Sequence, residues 1–149
     1  MLSGRFTRLG SPAINGELKI PNLGVAGEVP FLIDTGASNT TLMPRDAKNL
    51  VIPIDKLEVA REIEGTTGTG KAFEIMGFIA FRSKTHEYTF RTDLLIIEPT
   101  EVNLRTPTPR PSLLGRDVVN RWCFLYDAQA GTIDIDPTSW YRREPIRRA

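Results

Sequence analysis

Short apolar stretches run the length of the chain, each closed by Gly, Pro, Asn or Asp, and several alternate with a period of two. That period places every second side chain on one face of a pleated strand. Over Glu87–Glu98 the residues Tyr88, Phe90, Leu94 and Ile96 share a face, and over Lys71–Phe81 so do Phe73, Ile75, Ile79 and Phe81. The pattern further predicts a first hairpin over Phe6–Ile20, turning at Gly10-Ser11-Pro12 and Asn15-Gly16, then a loop over Pro21–Gly27 and a buried strand over Val29–Ile33. A short return strand over Thr40–Met43, an extended segment over Leu57–Glu64 and a closing hairpin of Phe124–Tyr126 with Thr132–Ile135 complete the set. Two stretches read as helical. Pro44 opens one or two turns through Leu50, and Arg116–Cys123 carries an apolar stripe of Val118, Val119 and Trp122. Pro99, Pro107, Pro109 and Pro111 mark a loop before Leu113-Leu114. Many short strands with turns between them predict an all-β sandwich or barrel in one domain.

One strand ends in a way that packing alone does not explain. The apolar run Phe31-Leu32-Ile33 delivers Asp34 to the small residues Thr35, Gly36 and Ala37. A carboxylate at the end of a buried strand loses hydration and needs hydrogen bonds or a partner in return. Gly36 and Ala37 leave room for a second backbone or a ligand to come close. Far downstream, in Leu113-Leu114-Gly115-Arg116-Asp117, an apolar pair ends in Gly and opens a short helical pattern.

These two segments, in this order, resemble the retropepsin family of homodimeric aspartic proteases, over roughly residues 5 to 136. The resemblance implies a closed, barrel-like acid-protease lobe with one short C-terminal helix, paired with a second copy about a two-fold axis. It implies an aspartic endopeptidase without metal or cofactor, acting on peptide or protein. Asp34 would be catalytic, with Thr35, Gly36 and Ala37 forming the active-site loop and dimer contact. Leu113, Leu114, Gly115 and Arg116 would support it from behind. Gly65, Thr66, Thr67, Gly68, Thr69 and Gly70 would form the tip of a substrate-covering flap. Peptide hydrolysis by carboxylates needs two of them, and the chain holds one Asp-Thr-Gly. The second Asp must therefore come from another chain. Ala37 stands where pepsin-like lobes have Ser, which should leave the pair less acidic. In viral relatives the Arg corresponding to Arg116 pairs with an Asp just beyond the loop. Here Ser38-Asn39 occupies that place, so Arg116 must find another partner or a backbone oxygen.

Other features narrow the function. Gly65, Gly70 and Lys71 satisfy the skeleton of a phosphate-binding loop, but Ala72 stands where a magnesium-holding hydroxyl is needed and a strand pattern follows where a helix is needed. A non-catalytic dimer of the same fold that binds peptide is the other alternative. Cys123 and His86 are each the only residue of their type, which excludes an intrachain disulfide and a Cys/His zinc site. The lone Cys suggests a reducing, cytoplasmic setting. The formal net charge of +1 gives no argument for nucleic acid, and no apolar run is long enough for a membrane helix. The domain is expected over residues 1–136, followed by a basic tail over 137–149 with Arg142, Arg143, Arg147 and Arg148 against Glu144.

Overall fold

A computed structural model describes residues 1–65 and 68–138. Its strands are β1 (Leu2–Phe6), β2 (Pro12–Ile20), β3 (Val25–Ile33), β4 (Thr41–Leu42), β5 (Val59–Gly65), β6 (Gly68–Arg82), β7 (Glu87–Ile97), β8 (Ser112–Leu114), β9 (Cys123–Asp127) and β10 (Thr132–Asp136). Three short α-helices interrupt them: α1 (Pro44–Asn49), α2 (Glu101–Leu104) and α3 (Arg116–Val119). The all-β class stands, and of the three helices only α2 lies outside the two helical stretches expected from the sequence. Among the described residues no helix is long and apolar enough to cross a membrane.

The strands close a ring in the order β2, β3, β8, β4, β7, β6 and back to β2. Closure rests on β6, which pairs with β7 from Ala72 to Arg82 and also meets β2 from Phe78 to Ala80. Closing the sheet removes edges that would otherwise expose unpaired backbone. Two ribbons project from the ring. One is the β5–β6 hairpin, in which Gly65 faces Gly68. The other is formed by β1, β10 and β9, where Leu2–Gly4 pair with Ile133–Ile135 and β10 pairs in turn with β9.

The interior follows from the alternation. Val29, Phe31 and Ile33 of β3 point inward with Ile14, Leu18 and Ile20 of β2, while Glu28 and Pro30 point out. Trp122 closes one end of the core, edge-on to Phe81 at 5.1 Å and to Phe90 at 5.9 Å. Outside, Arg82 on β6 clamps Glu17 of β2 at 2.8 Å and Glu87 of β7 at 2.7 Å. The hydrogen bond from Arg82, and then its charge, hold the Glu87 carboxyl below its ordinary range. That small surface contribution is present at neutral pH and is lost as acid protonates Glu87.

Several sequence expectations need correction. Asn15-Gly16 is no turn. Both lie within β2, and Gly16 is there because a Cβ would come within 2.6 Å of Ile79 and 2.9 Å of Phe81, where β6 crosses to close the ring. The loop expected over Pro21–Gly27 is only one 3-10 turn, Pro21–Leu23, ended by Gly24 at φ +63°, so β3 begins four residues early. The Arg116–Cys123 helix is a single turn, because Cys123 is already in β9. α2 was not expected. Its start is a capping box, with Asn103 N–H donating to Thr100 Oγ1 and Asn103 Oδ1 accepting from Thr100 N–H.

Gly16→Ala should lower stability by about 1–3 kcal/mol through overpacking at the β2–β6 crossing. Urea denaturation of the two proteins measures it, and an unchanged midpoint would refute the closure argument.

Candidate active site

The end of β3 is held by a parallel neighbour. Phe31, Leu32 and Ile33 pair with Ser112, Leu113 and Leu114 of β8, and the ladder continues as Asp34 N–H donates to Leu114 O at 3.0 Å. Beyond Asp34 the chain turns tightly. Ala37 N–H donates to Asp34 O at 3.2 Å, and Gly36 N–H donates to Asp34 Oδ1 at 2.8 Å. A carboxylate binding its own backbone two residues on is an Asx turn, which suits Asp followed by small residues. It fixes the carboxylate through Oδ1. Asp34 Oδ2 has no hydrogen-bond partner among the described residues. Asp34 is half-buried, and Thr35 and Gly36 are exposed.

The second segment meets this loop from behind. Arg116 N–H donates to Ala37 O at 2.8 Å, and Arg116 Nη1 donates to Thr35 O at 3.0 Å. Arg116 therefore takes a backbone oxygen in place of an acidic partner, one of the two outcomes its surroundings left open. Gly115 has no space for a side chain. A Cβ there would lie 2.5 Å from Asn39 C, 2.7 Å from Asn39 O and 2.8 Å from Thr40 N.

The residues that lock the two segments together escaped the sequence reading. Asp117 Oδ1 accepts from Thr40 N–H at 3.0 Å and from Thr40 Oγ1–H at 2.9 Å, and Asp117 Oδ2 accepts from Thr92 Oγ1–H of β7. Thr40 Oγ1 in turn accepts from Gly115 N–H at 3.1 Å. Thr40 and Thr92 are buried. A signal for this node was available. Thr92 fills the gap between Phe90 and Leu94 in an otherwise apolar face, and a hydroxyl there requires a partner.

The predicted flap residues fall at the β5–β6 hairpin. Gly65, Gly68, Thr69 and Gly70 lie on its strands, while Thr66 and Thr67 lie outside the described residues. Lys71 is followed by strand through Arg82, so the helix that a phosphate loop requires is not there.

A closed lobe with an Asp-Thr-Gly turn braced by a Leu-Leu-Gly-Arg-Asp segment defines a single-lobed, retropepsin-like acid protease. A family-level profile described as aspartyl protease matches residues 14–118, and the chain belongs to that family. It is an aspartic endopeptidase. Among solved structures, a retropepsin-like aspartic protease from Rickettsia conorii is similar at TM-score 0.56 and 21% identity, over 90% of this chain and 96% of that one. The EIAV protease, complexed with the inhibitor HBY-793, is similar at TM-score 0.45 and 18% identity, over 77% of this chain and 90% of that one. No curated protein matches the chain by sequence.

Asp117→Ala leaves the buried donors of Thr40 and Thr92 without an acceptor, at about 1–3 kcal/mol for each orphaned group. Asp117→Asn keeps an acceptor for Thr40 and should cost less. Thermal unfolding should rank wild type above Asn above Ala, and equal losses would refute the node as described.

Proposed function

We propose that the chain cuts peptide bonds as a homodimer, with Asp34 and the same residue of a second copy forming the catalytic pair. The observation that carries this reading is the half-engaged carboxylate of Asp34, with Oδ1 held by Gly36 and Oδ2 open, on a turn whose next two residues are exposed. One such carboxylate activates no amide by itself. Two facing each other share a proton, because both cannot be ionised at close range. The ionised member takes a proton from water as it attacks the carbonyl carbon, and the protonated member donates a hydrogen bond to the carbonyl oxygen.

The other roles follow from position. Thr35 would contact its counterpart across the two-fold axis, and Gly36 would offer backbone to the substrate. Ala37 would pack behind the pair, with Arg116, Gly115, Leu114 and Leu113 supporting the turn. The segment Gly65, Thr66, Thr67, Gly68, Thr69 and Gly70 would act as the flap over an extended peptide. A surface for a second copy supports the dimer. β9 is the outer edge of the terminal ribbon, with Leu125 66% and Tyr126 48% exposed.

Asp34→Asn removes both catalytic carboxylates at once while nearly preserving shape. The variant should remain folded and dimeric by sedimentation and lose peptide hydrolysis altogether. Wild-type rate should be bell-shaped in pH, since the pair works only with one proton shared. Cleavage retained in Asp34→Asn would overturn the mechanism, and a wild type inactive on unfolded protein at every pH would favour a peptide-binding module instead.

The flap reading has its own test. Gly68→Pro stiffens the hairpin tip and should raise KM or slow turnover without altering the unfolding midpoint, whereas Lys71→Ala should change neither. The reverse result would restore the phosphate-loop reading.

A further inference from the structure

Strand register builds a second feature beside the Asp34 turn. Arg5 of β1 faces Ala13 of β2, Ala13 faces Leu32 of β3, and Leu32 faces Leu113 of β8. These four side chains form one row across the sheet. The row lies two residues before Asp34 on the same face, since strand residues two apart point the same way. A cleft of about 430 Å³ opens beside it, between β3, α1 and the segment Pro109–Pro111 that leads into β8. β8 pairs with β3 only at Phe31–Ile33, so the earlier part of β3 has an open edge there. An open strand edge beside a cleft accommodates an extended chain.

The walls of this cleft carry three cations against two carboxylates, Glu28 and Asp46. The cations are the guanidinium-bearing residues Arg5, Arg45 and Arg110. Arg5 and Arg45 are exposed and have no ion-pair or hydrogen-bond partner among the described residues. The two carboxylates in the same walls keep their charge but accept hydrogen bonds from neighbours within the fold, whereas the side-chain donors of Arg5 and Arg45 are unused among the described residues. Glu28 Oε1 accepts from Asn15 Nδ2 at 2.6 Å, and Asp46 Oδ2 accepts from Ser112 Oγ at 2.6 Å. Ala13, Pro30, Leu32 and Leu50 supply apolar surface between the charges, which strengthens a charge-assisted contact made there.

We infer that this cleft receives an acidic side chain, Asp or Glu, of an extended peptide passing over Asp34. The inference rests on the protease reading and adds a second specificity element remote from the scissile bond. Strands lie about 4.8 Å apart and rise about 3.3 Å per residue. Arg5 sits two strands across from Leu32, so the acidic residue falls about three to four residues from the bond that is cut.

Peptides identical except for Glu, Gln or Lys at the third or fourth residue on either side of the bond test this. Their binding to the Asp34→Asn protein is read by fluorescence anisotropy, and their cleavage by wild type as kcat/KM. At one of these positions Glu should bind about tenfold more tightly than Gln, and Lys more weakly than either. In the Arg5→Gln/Arg45→Gln double variant the Glu and Gln peptides should become equal, with Gln-peptide binding unchanged. Salt at about 0.5 M should narrow the wild-type difference. Cleavage and binding indifferent to charge at all four positions would overturn the inference while leaving the protease reading intact. A preference for Glu that survives in the double variant would also overturn it. Binding that discriminates Glu, with no cleavage of any peptide, would uphold the cleft and overturn the protease reading.

Discussion

The structure around Asp34 depends on how backbone polar groups are satisfied where a buried strand stops. β3 runs through the core and ends in a tight turn against protein, so its last amides and carbonyls cannot all turn to water. Buried N–H and C=O groups left unpaired cost as much as lost hydrogen bonds. Here the residues from Leu114 to Asp117 take up the task. Leu114 accepts from Asp34 N–H, Arg116 donates to the carbonyls of Ala37 and Thr35, and Asp117 accepts from Thr40. Arg116 meets two oxygens, that of Ala37 with its backbone N–H and that of Thr35 with its guanidinium, and the Asp117 carboxylate meets N–H and O–H donors. The requirement for Gly115 follows, since the two backbones approach too closely there for any Cβ.

This division also explains why the loop tolerates Ser38-Asn39 without a carboxylate. An Arg–carboxylate pair would tie the loop by a side chain. Arg116 reaches the Thr35 carbonyl itself, one residue from Asp34. The position of the turn is then set by backbone contacts on both sides, and the side chains of residues 38 and 39 are relieved of a structural task. Asn39 and Ser38 instead hydrogen-bond each other at 3.1 Å.

Much of the fold was legible because its local rules agree with its packing. The alternation over Glu87–Glu98 became β7, Pro44 opened α1, and the Ala128–Gly131 turn closes β9 on β10, with Gly131 at φ +71°. What was not legible depends on residues distant in sequence. Asn15-Gly16 has turn chemistry, yet it lies in mid-strand because β6 crosses there. The pairing of β1 with β10 joins the two ends of the described chain, and no local pattern specifies it. At the site, Asp34 and Gly115 stood out because their residue types are costly in ordinary strands. Asp117 did not, because an acidic residue in the first turn of a helix is unremarkable until Thr40 and Thr92 are seen to converge on it.

The same node limits where the domain can vary. Asp117 joins the Asp34 loop, β7 through Thr92 and the start of α3, and α3 leads directly into Trp122 of the core and then into β9. The Asp34 turn is therefore tied through Asp117 to the core and to the terminal ribbon, whose outer strand β9 pairs on one side alone among the described residues. The β5–β6 hairpin and the cleft beside Arg5 stand outside that network. The hairpin pairs with the ring only through β6, and the cleft is lined from β1, β2, β3, α1 and the segment Pro109–Pro111. If these two regions contact the peptide as proposed, substitutions there would alter which peptides bind without disturbing the hydrogen bonds that hold Asp34. On the proposed reading, the buried contacts would serve the chemistry and the assembly, while specificity would reside on surfaces that the fold leaves free to change.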